Sequence, residues 1–256
     1  MTRLFISFYY LGLSVFVFQR GRLFVNKAPI PDVYSMMAAP FNWLPESEFY
    51  FPLVFLFALG FCCAAVVVQR QWVLVLASIC FALFVSMMSS FGKVNHSYHA
   101  LIYLSLFIPF LDLSNGVGEK GNLLLVRICQ ATLLSTYFTS GLWKFRRIGF
   151  SGWTAAAQEN VAGAVAYGRG PHQFIIDNFI INNTWILTTG FLAIFIFQIC
   201  CILPVIKPRM SLLFGILICI FHLMTGIFMG IWMPHMFFAA LFILVLTELH
   251  FLKTSS

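Results

Sequence analysis

Apolar residues run through this chain in long blocks, and the charged residues gather at the ends of the blocks. A helix needs about 20 mainly apolar residues to cross the hydrocarbon of a bilayer. That measure predicts spans at Arg3–Phe18, Phe51–Val68, Trp72–Ser90, His99–Leu113, Asn122–Leu142, Thr184–Ile206, Met210–Ile231 and Met233–Leu252. The first and fourth are short. Only Gln69-Arg70-Gln71 separates the second span from the third, and only Lys207-Pro208-Arg209 separates the sixth from the seventh. Each of these pairs is therefore a tight antiparallel hairpin. Two longer polar stretches remain. Gln19–Tyr50 is broken by Pro29, Pro31, Pro40 and Pro45 and reads as a cover at the membrane surface. The second begins at Phe150 and contains a short helix of small residues, capped near Ser151 and ending at Gly168. The pattern predicts an all-α, polytopic membrane bundle of about eight transmembrane helices. It forms a single membrane domain over residues 1–256, with no separate soluble domain.

Composition agrees with the pattern. The chain is 61% hydrophobic and only 9% charged, whereas soluble domains carry roughly 25% charged residues. The formal charge of +7 is not a nucleic-acid signature. Basic residues occur singly or in twos and threes beside apolar runs, as membrane anchors do. The charged start of Thr2–Phe18 does not make a cleavable leader, because Gln19-Arg20-Gly21-Arg22 stands where small residues should mark cleavage. With eight spans both termini share one side. The basic residues of the two shortest turns assign that side to the cytoplasm of a cell (inner) membrane, so the region of Lys144 faces outward. All seven cysteines lie inside apolar runs and read as small buried apolar groups.

Polar groups inside the spans are costly, which makes each a functional candidate. The fifth span carries the most: Arg127, Gln130, Thr132, Ser135, Thr136, Tyr137, Thr139 and Ser140. Helical spacing puts Gln130, Tyr137, Gly141 and Lys144 on one face. Arg146 and Arg147 follow. These cations can serve simply as anchors whose stems snorkel to the interface. Alternatively, a lysine held at low polarity gives up its proton more easily and can act as a base. Arg127 calls for a counter-charge, and Asp112 is the nearest in the predicted topology.

Asn95-His96-Ser97-Tyr98 and His99 open the fourth span. They can hold a polar ligand or simply cap the helix. His222 lies deep in the seventh span, and Met224, Met229, Met233, His235 and Met236 follow it. A packed structural histidine is one reading, and a copper(I) path is another. Methionine clusters are expected in so apolar a chain. His96, His99, His222 and His250 form no facing pairs that would suit haem. No metal site is predicted.

Three motifs occur in a fixed order: Asn95-His96-Ser97-Tyr98, then Tyr137-Phe138-x-x-Gly141-Leu142-x-Lys144 with Trp153 beyond, then Phe221-His222 followed by Met229-Gly230. This ordered set resembles the vitamin-K-dependent gamma-carboxylase-like family, also described as the horizontally transferred transmembrane domain. The resemblance spans nearly the whole chain. It implies an enzyme that uses a reduced quinone, a vitamin-K-type hydroquinone. By position it makes Lys144 the base, with His96 supporting its neutral form. Asn95, His222 and Tyr137 then line the quinone pocket.

Two departures limit the transfer. Trp143 stands where the family's pattern has a first lysine, and the chain ends at Ser256 without the family's large lumenal portion. A bacterial branch is similar to a membrane protein that matures a sporulation-delaying peptide toxin. The expected partners are therefore membrane lipid and a peptide substrate or extracytoplasmic partner protein. The rival expectation, from another class, is a non-catalytic membrane subunit, scaffold or assembly factor that keeps the fold.

Overall fold

The computed structural model describes residues 2–24, 50–88, 96–111, 120–148, 183–229 and 233–249, together with Gly152 and Ala155. The protein is all-α, and no strand occurs among the described residues. Six helices among them are long and apolar enough to cross a membrane: Arg3–Leu23, Tyr50–Val67, Gln71–Met88, Lys120–Arg146, Thr188–Ile206 and Pro208–Ile227. Two shorter apolar helices, Tyr98–Phe110 and Pro234–Leu249, occupy the remaining predicted positions. Contacts divide the chain into two compact units, Met1–Thr132 and Leu133–Ser256.

The first unit holds α1 (Thr2–Phe24), α2 (Tyr50–Val67), α3 (Gln71–Met88), α4 (His96–Phe107) and the first part of α5 (Lys120–Ile148). The turn Val68–Arg70 folds α2 back on α3 as the pattern predicted, closed by the bond from Val73 N–H to the Arg70 carbonyl at 2.9 Å. α1 buries Ile6, Tyr10, Leu13 and Val17, which recur every three or four residues and form one stripe. Buried hydroxyls on and beside that stripe find partners on other helices. Tyr10 bonds the Leu74 carbonyl at 3.0 Å and Ser78 Oγ at 2.8 Å, and Tyr9 donates to the Leu101 carbonyl at 2.9 Å. Gln69 Nε2 donates to the Arg3 carbonyl at 2.8 Å, so the turn is tied to the start of α1.

α1 is longer than the pattern predicted. It continues past Phe18 through Gln19-Arg20-Gly21-Arg22 to Phe24. Packing explains the extension: Arg20 lies 5.7 Å from the centre of the Tyr98 ring, and buried Gly21 abuts the Phe55 ring so closely that a Cβ would overlap it. Arg127 on α5 donates to Gln130 Oε1 at 2.6 Å, one turn further along the same helix. Asp112, its predicted counter-charge, lies outside the described residues.

The second unit holds the rest of α5, α6 (Thr184–Cys200), the short α7 (Leu203–Ile206), α8 (Ser211–Met229) and α9 (Pro234–Ala240) with its π-helical continuation Leu241–Leu246. The sixth predicted span is interrupted near Cys201 because Pro204 in α7 has no N–H to continue the ladder. α8 and the α9 segment pack at close range. A Cβ on Gly215 would lie 2.6 Å from Leu244 Cβ and 3.3 Å from the Leu244 backbone. Small residues permit such approach where lipid provides no hydrophobic drive. The predicted loop helix at Ser151–Gly168 and the loop Gln19–Tyr50 fall mostly outside the described residues.

Candidate functional site

α5 runs to Ile148, past the predicted end at Leu142, so Lys144 sits inside the helix and not after it. Tyr137, Gly141 and Lys144 therefore keep one face across two turns, about 10 Å from first to last at about 1.5 Å per residue. Each meets a neighbour from the second unit. Tyr137 Oη and His222 Nε2 of α8 are 2.5 Å apart, with the rings edge to face at 5.8 Å. Gly141 lies against α6, where a Cβ would come within 3.1 Å of Gln198 Cβ and 3.2 Å of the Ile199 backbone nitrogen. That close approach brings Gln198 to Lys144, and Lys144 Nζ donates to Gln198 Oε1 at 2.8 Å. Nζ also lies 5.8 Å from the centre of the Phe191 ring. Phe145 stacks on Phe195 beside it.

The electrostatics of the group follow from its neutral partners. Lys144 is half-buried, and its described partners are an amide and an aromatic ring. Gln198 is 4% exposed and His222 5% exposed. Among the described residues, His222 Nδ1 is a buried polar atom with no hydrogen-bond partner. The bond to Tyr137 uses one ring nitrogen and leaves the other for something else. Thr225 Oγ1 donates to the His222 carbonyl at 3.1 Å, which secures the helix there but does nothing for the ring. An unpaired imidazole nitrogen in a dry site suits a ligand hydroxyl or carbonyl.

Of the predicted site residues, Tyr137, Lys144 and His222 all lie in the second unit, in two contacts two turns apart on α5: Tyr137 with His222 of α8, and Lys144 with Gln198 of α6. Asn95 and the side chain of His96 lie outside the described residues. Tyr98 of the same motif is buried, in edge contact with Phe16 at 4.9 Å. Among the described residues, no three His, Cys, Asp or Glu side chains are placed to share a metal ion. All seven cysteines are free thiols.

The hydropathy pattern does not single out Gln198. Its signal is present, a full amide inside the apolar run Phe191–Leu203, but nothing in the pattern connects it with Lys144.

The chain matches no protein-family model, no curated protein sequence and no solved structure.

Proposed function

We propose that this membrane protein is a quinol-linked enzyme in which Lys144 is the base. The observation that carries the reading is the bond of Lys144 Nζ to a neutral amide, Gln198 Oε1, at 2.8 Å. A lysine paired with a carboxylate is held as ammonium, whereas one held by an amide is fixed in place without its proton being locked. Lys144 takes the proton of a quinol hydroxyl: the O–H bond breaks, an N–H bond forms on Nζ, and the quinolate keeps the electron pair. His222 Nδ1 binds the second ring oxygen. The quinolate then reacts with oxygen to give the strong base that activates a peptide or small substrate, as the resemblance to the gamma-carboxylase-like family implies. His96 and Asn95 support the amine and the ring in this reading. The termini are cytoplasmic and the membrane is the cell membrane, on the weight of Arg70, Lys207 and Arg209 in the short turns.

The same bond also favours the rival reading, a scaffold subunit, because it joins α5 to α6 whether or not a proton moves. Quinol-dependent oxygen uptake by membranes containing the protein separates the two. The enzyme reading expects uptake that Lys144→Arg reduces by about 100-fold or more, since a guanidinium cannot serve as base. Chromatographic behaviour should stay normal. No uptake by the wild type, or full uptake by Lys144→Arg, would leave the scaffold.

A further inference from the structure

A groove of about 520 Å³ opens between α6 and α8. Ala193 and Phe197 line it from α6; Leu217, Phe221, Met224 and Thr225 line it from α8. Every one of these positions falls within a helix long and apolar enough to span a membrane. Apart from the Thr225 hydroxyl the lining is hydrocarbon, aromatic or thioether. Phe197 packs against Phe214 at 5.8 Å and Phe221 at 6.3 Å, so the two helices meet through their rings beside the groove.

What fills the groove is indicated by where it lies. α6 and α8 are joined through α7 and the turn Lys207-Pro208-Arg209, and the groove lies in the seam between them, on the far side of the Phe197–Phe214 stack from that turn. Lys207 and Arg209 are both exposed there. Among the described residues of this unit Glu248 is the one carboxylate, and it is buried. The exposed charge at that end is thus positive. At about 1.5 Å per residue, Leu217 lies about 12 Å along α8 from Arg209, and Thr225 about 24 Å. One leaflet contributes about 15 Å of hydrocarbon below a headgroup layer of about 6 Å. A phosphate at Lys207 and Arg209 would therefore lay the distal half of its acyl chain along the groove.

We infer that this groove and its basic turn form a binding site for one anionic phospholipid, separate from the Lys144 group. Basic residues at the end of a membrane helix attract anionic lipid, each by about five-fold, so two give about twenty-five-fold. The site does not depend on the quinol reading, because none of its residues is a partner of Lys144.

The test is native mass spectrometry of the full chain purified in mild detergent, with phosphatidylglycerol and phosphatidylcholine added in equal amount. The wild type should retain one phosphatidylglycerol per chain, with about twenty-five-fold preference. The exposed pair Lys207→Gln with Arg209→Gln should lose that preference while remaining folded. Ala193→Phe displaces about two methylenes of the chain and should weaken retention by about ten-fold with the headgroup preference intact. Equal retention of the two lipids by the wild type overturns the proposal. So does an unchanged preference in the Lys207, Arg209 variant. A retained prenyl quinone in place of a phospholipid overturns it as well, and would assign the groove to the quinol instead.

Discussion

Tyr137 and His222, 85 positions apart in sequence, meet at 2.5 Å in a buried hydrogen bond that leaves the second imidazole nitrogen unpaired. The pair ties α5 to α8 and sets which nitrogen of His222 is free. Tyr137→Phe removes the hydroxyl and strands both nitrogens. Interhelical hydrogen bonds in membranes average about 0.6 kcal/mol and reach about 1.7 kcal/mol. Thermal unfolding in detergent should show Tyr137→Phe destabilised by about 1–2 kcal/mol. The double variant Tyr137→Phe with His222→Leu should cost less than the sum of the singles. Strict additivity would mean that the pair is not coupled.

The neutrality of the Lys144 partner can be tested by changing its charge. Gln198→Glu keeps the size of the side chain and places a carboxylate where Oε1 stands 2.8 Å from Nζ. An adjacent carboxylate holds the proton on the amine. The variant should still fold, the new pair offsetting the desolvation of the carboxylate, and should lose quinol-dependent oxygen uptake as completely as Lys144→Arg. Gln198→Leu, by contrast, removes the anchor but not the amine. It should lower uptake by about 10-fold to 100-fold, the size expected when a base loses its orientation. If Gln198→Glu retained full uptake, Lys144 would not be acting as a base.

Much of this group could be read from spacing alone. Tyr137, Gly141 and Lys144 fall on one face at any helical register, so their alignment followed once the fifth span was placed. The role of Gly141 is less visible in sequence. A glycine inside a helix is weakly unfavourable, and only the approach of Gln198 and Ile199 explains it. Arg127 is the opposite case. A lone arginine in a span calls for a charged partner, and charge arguments pointed to Asp112. Among the described residues Arg127 bonds Gln130, one turn along the same helix, which needs no tertiary arrangement; Asp112 lies outside them. The helix ends were the least legible. The polar run after Phe18 reads as a stop, yet α1 continues to Phe24, because the contacts of Arg20 with Tyr98 and Gly21 with Phe55 are made by residues distant in sequence.

Gly141 gives a third prediction. A Cβ there would come within 3.1 Å of Gln198 Cβ and Ile199 Cδ1 and 3.2 Å of the Ile199 backbone nitrogen, so α6 itself would have to give by a few tenths of an ångström. Gly141→Ala should therefore destabilise by about 1–2 kcal/mol, after the helix-propensity gain of alanine, with α5 still close to α6. Gly141→Leu cannot be accommodated and should force α5 from α6, separating Lys144 from Gln198. Cysteine cross-linking between positions 144 and 198, efficient in a Gly141→Ala background, should fall away in Gly141→Leu. Equal cross-linking in both backgrounds would show that Gly141 does not set the distance.

Gly215 tests a close helix approach in the second unit. Its missing Cβ would sit 2.6 Å from Leu244 Cβ and 3.0 Å from Val245 Cγ2, with the Leu244 backbone at 3.3 Å. Leu244 Cβ is fixed to the main chain and cannot rotate away. The neighbouring π-helical turn, Leu241–Leu246, makes the segment wider than an ordinary helix where it meets Gly215. Gly215→Ala should destabilise by about 1–3 kcal/mol, the range for an overpacked core, against the roughly 1 kcal/mol gain that Ala brings to an unconstrained helix. Gly12 is the control. It lies in α1, where an added Cβ would meet nothing within 4 Å, so Gly12→Ala should stabilise. Unfolding of the two variants in the same detergent should therefore move in opposite directions. A shared direction would show that detergent or helix propensity, and not the Leu244 contact, governs the response at Gly215.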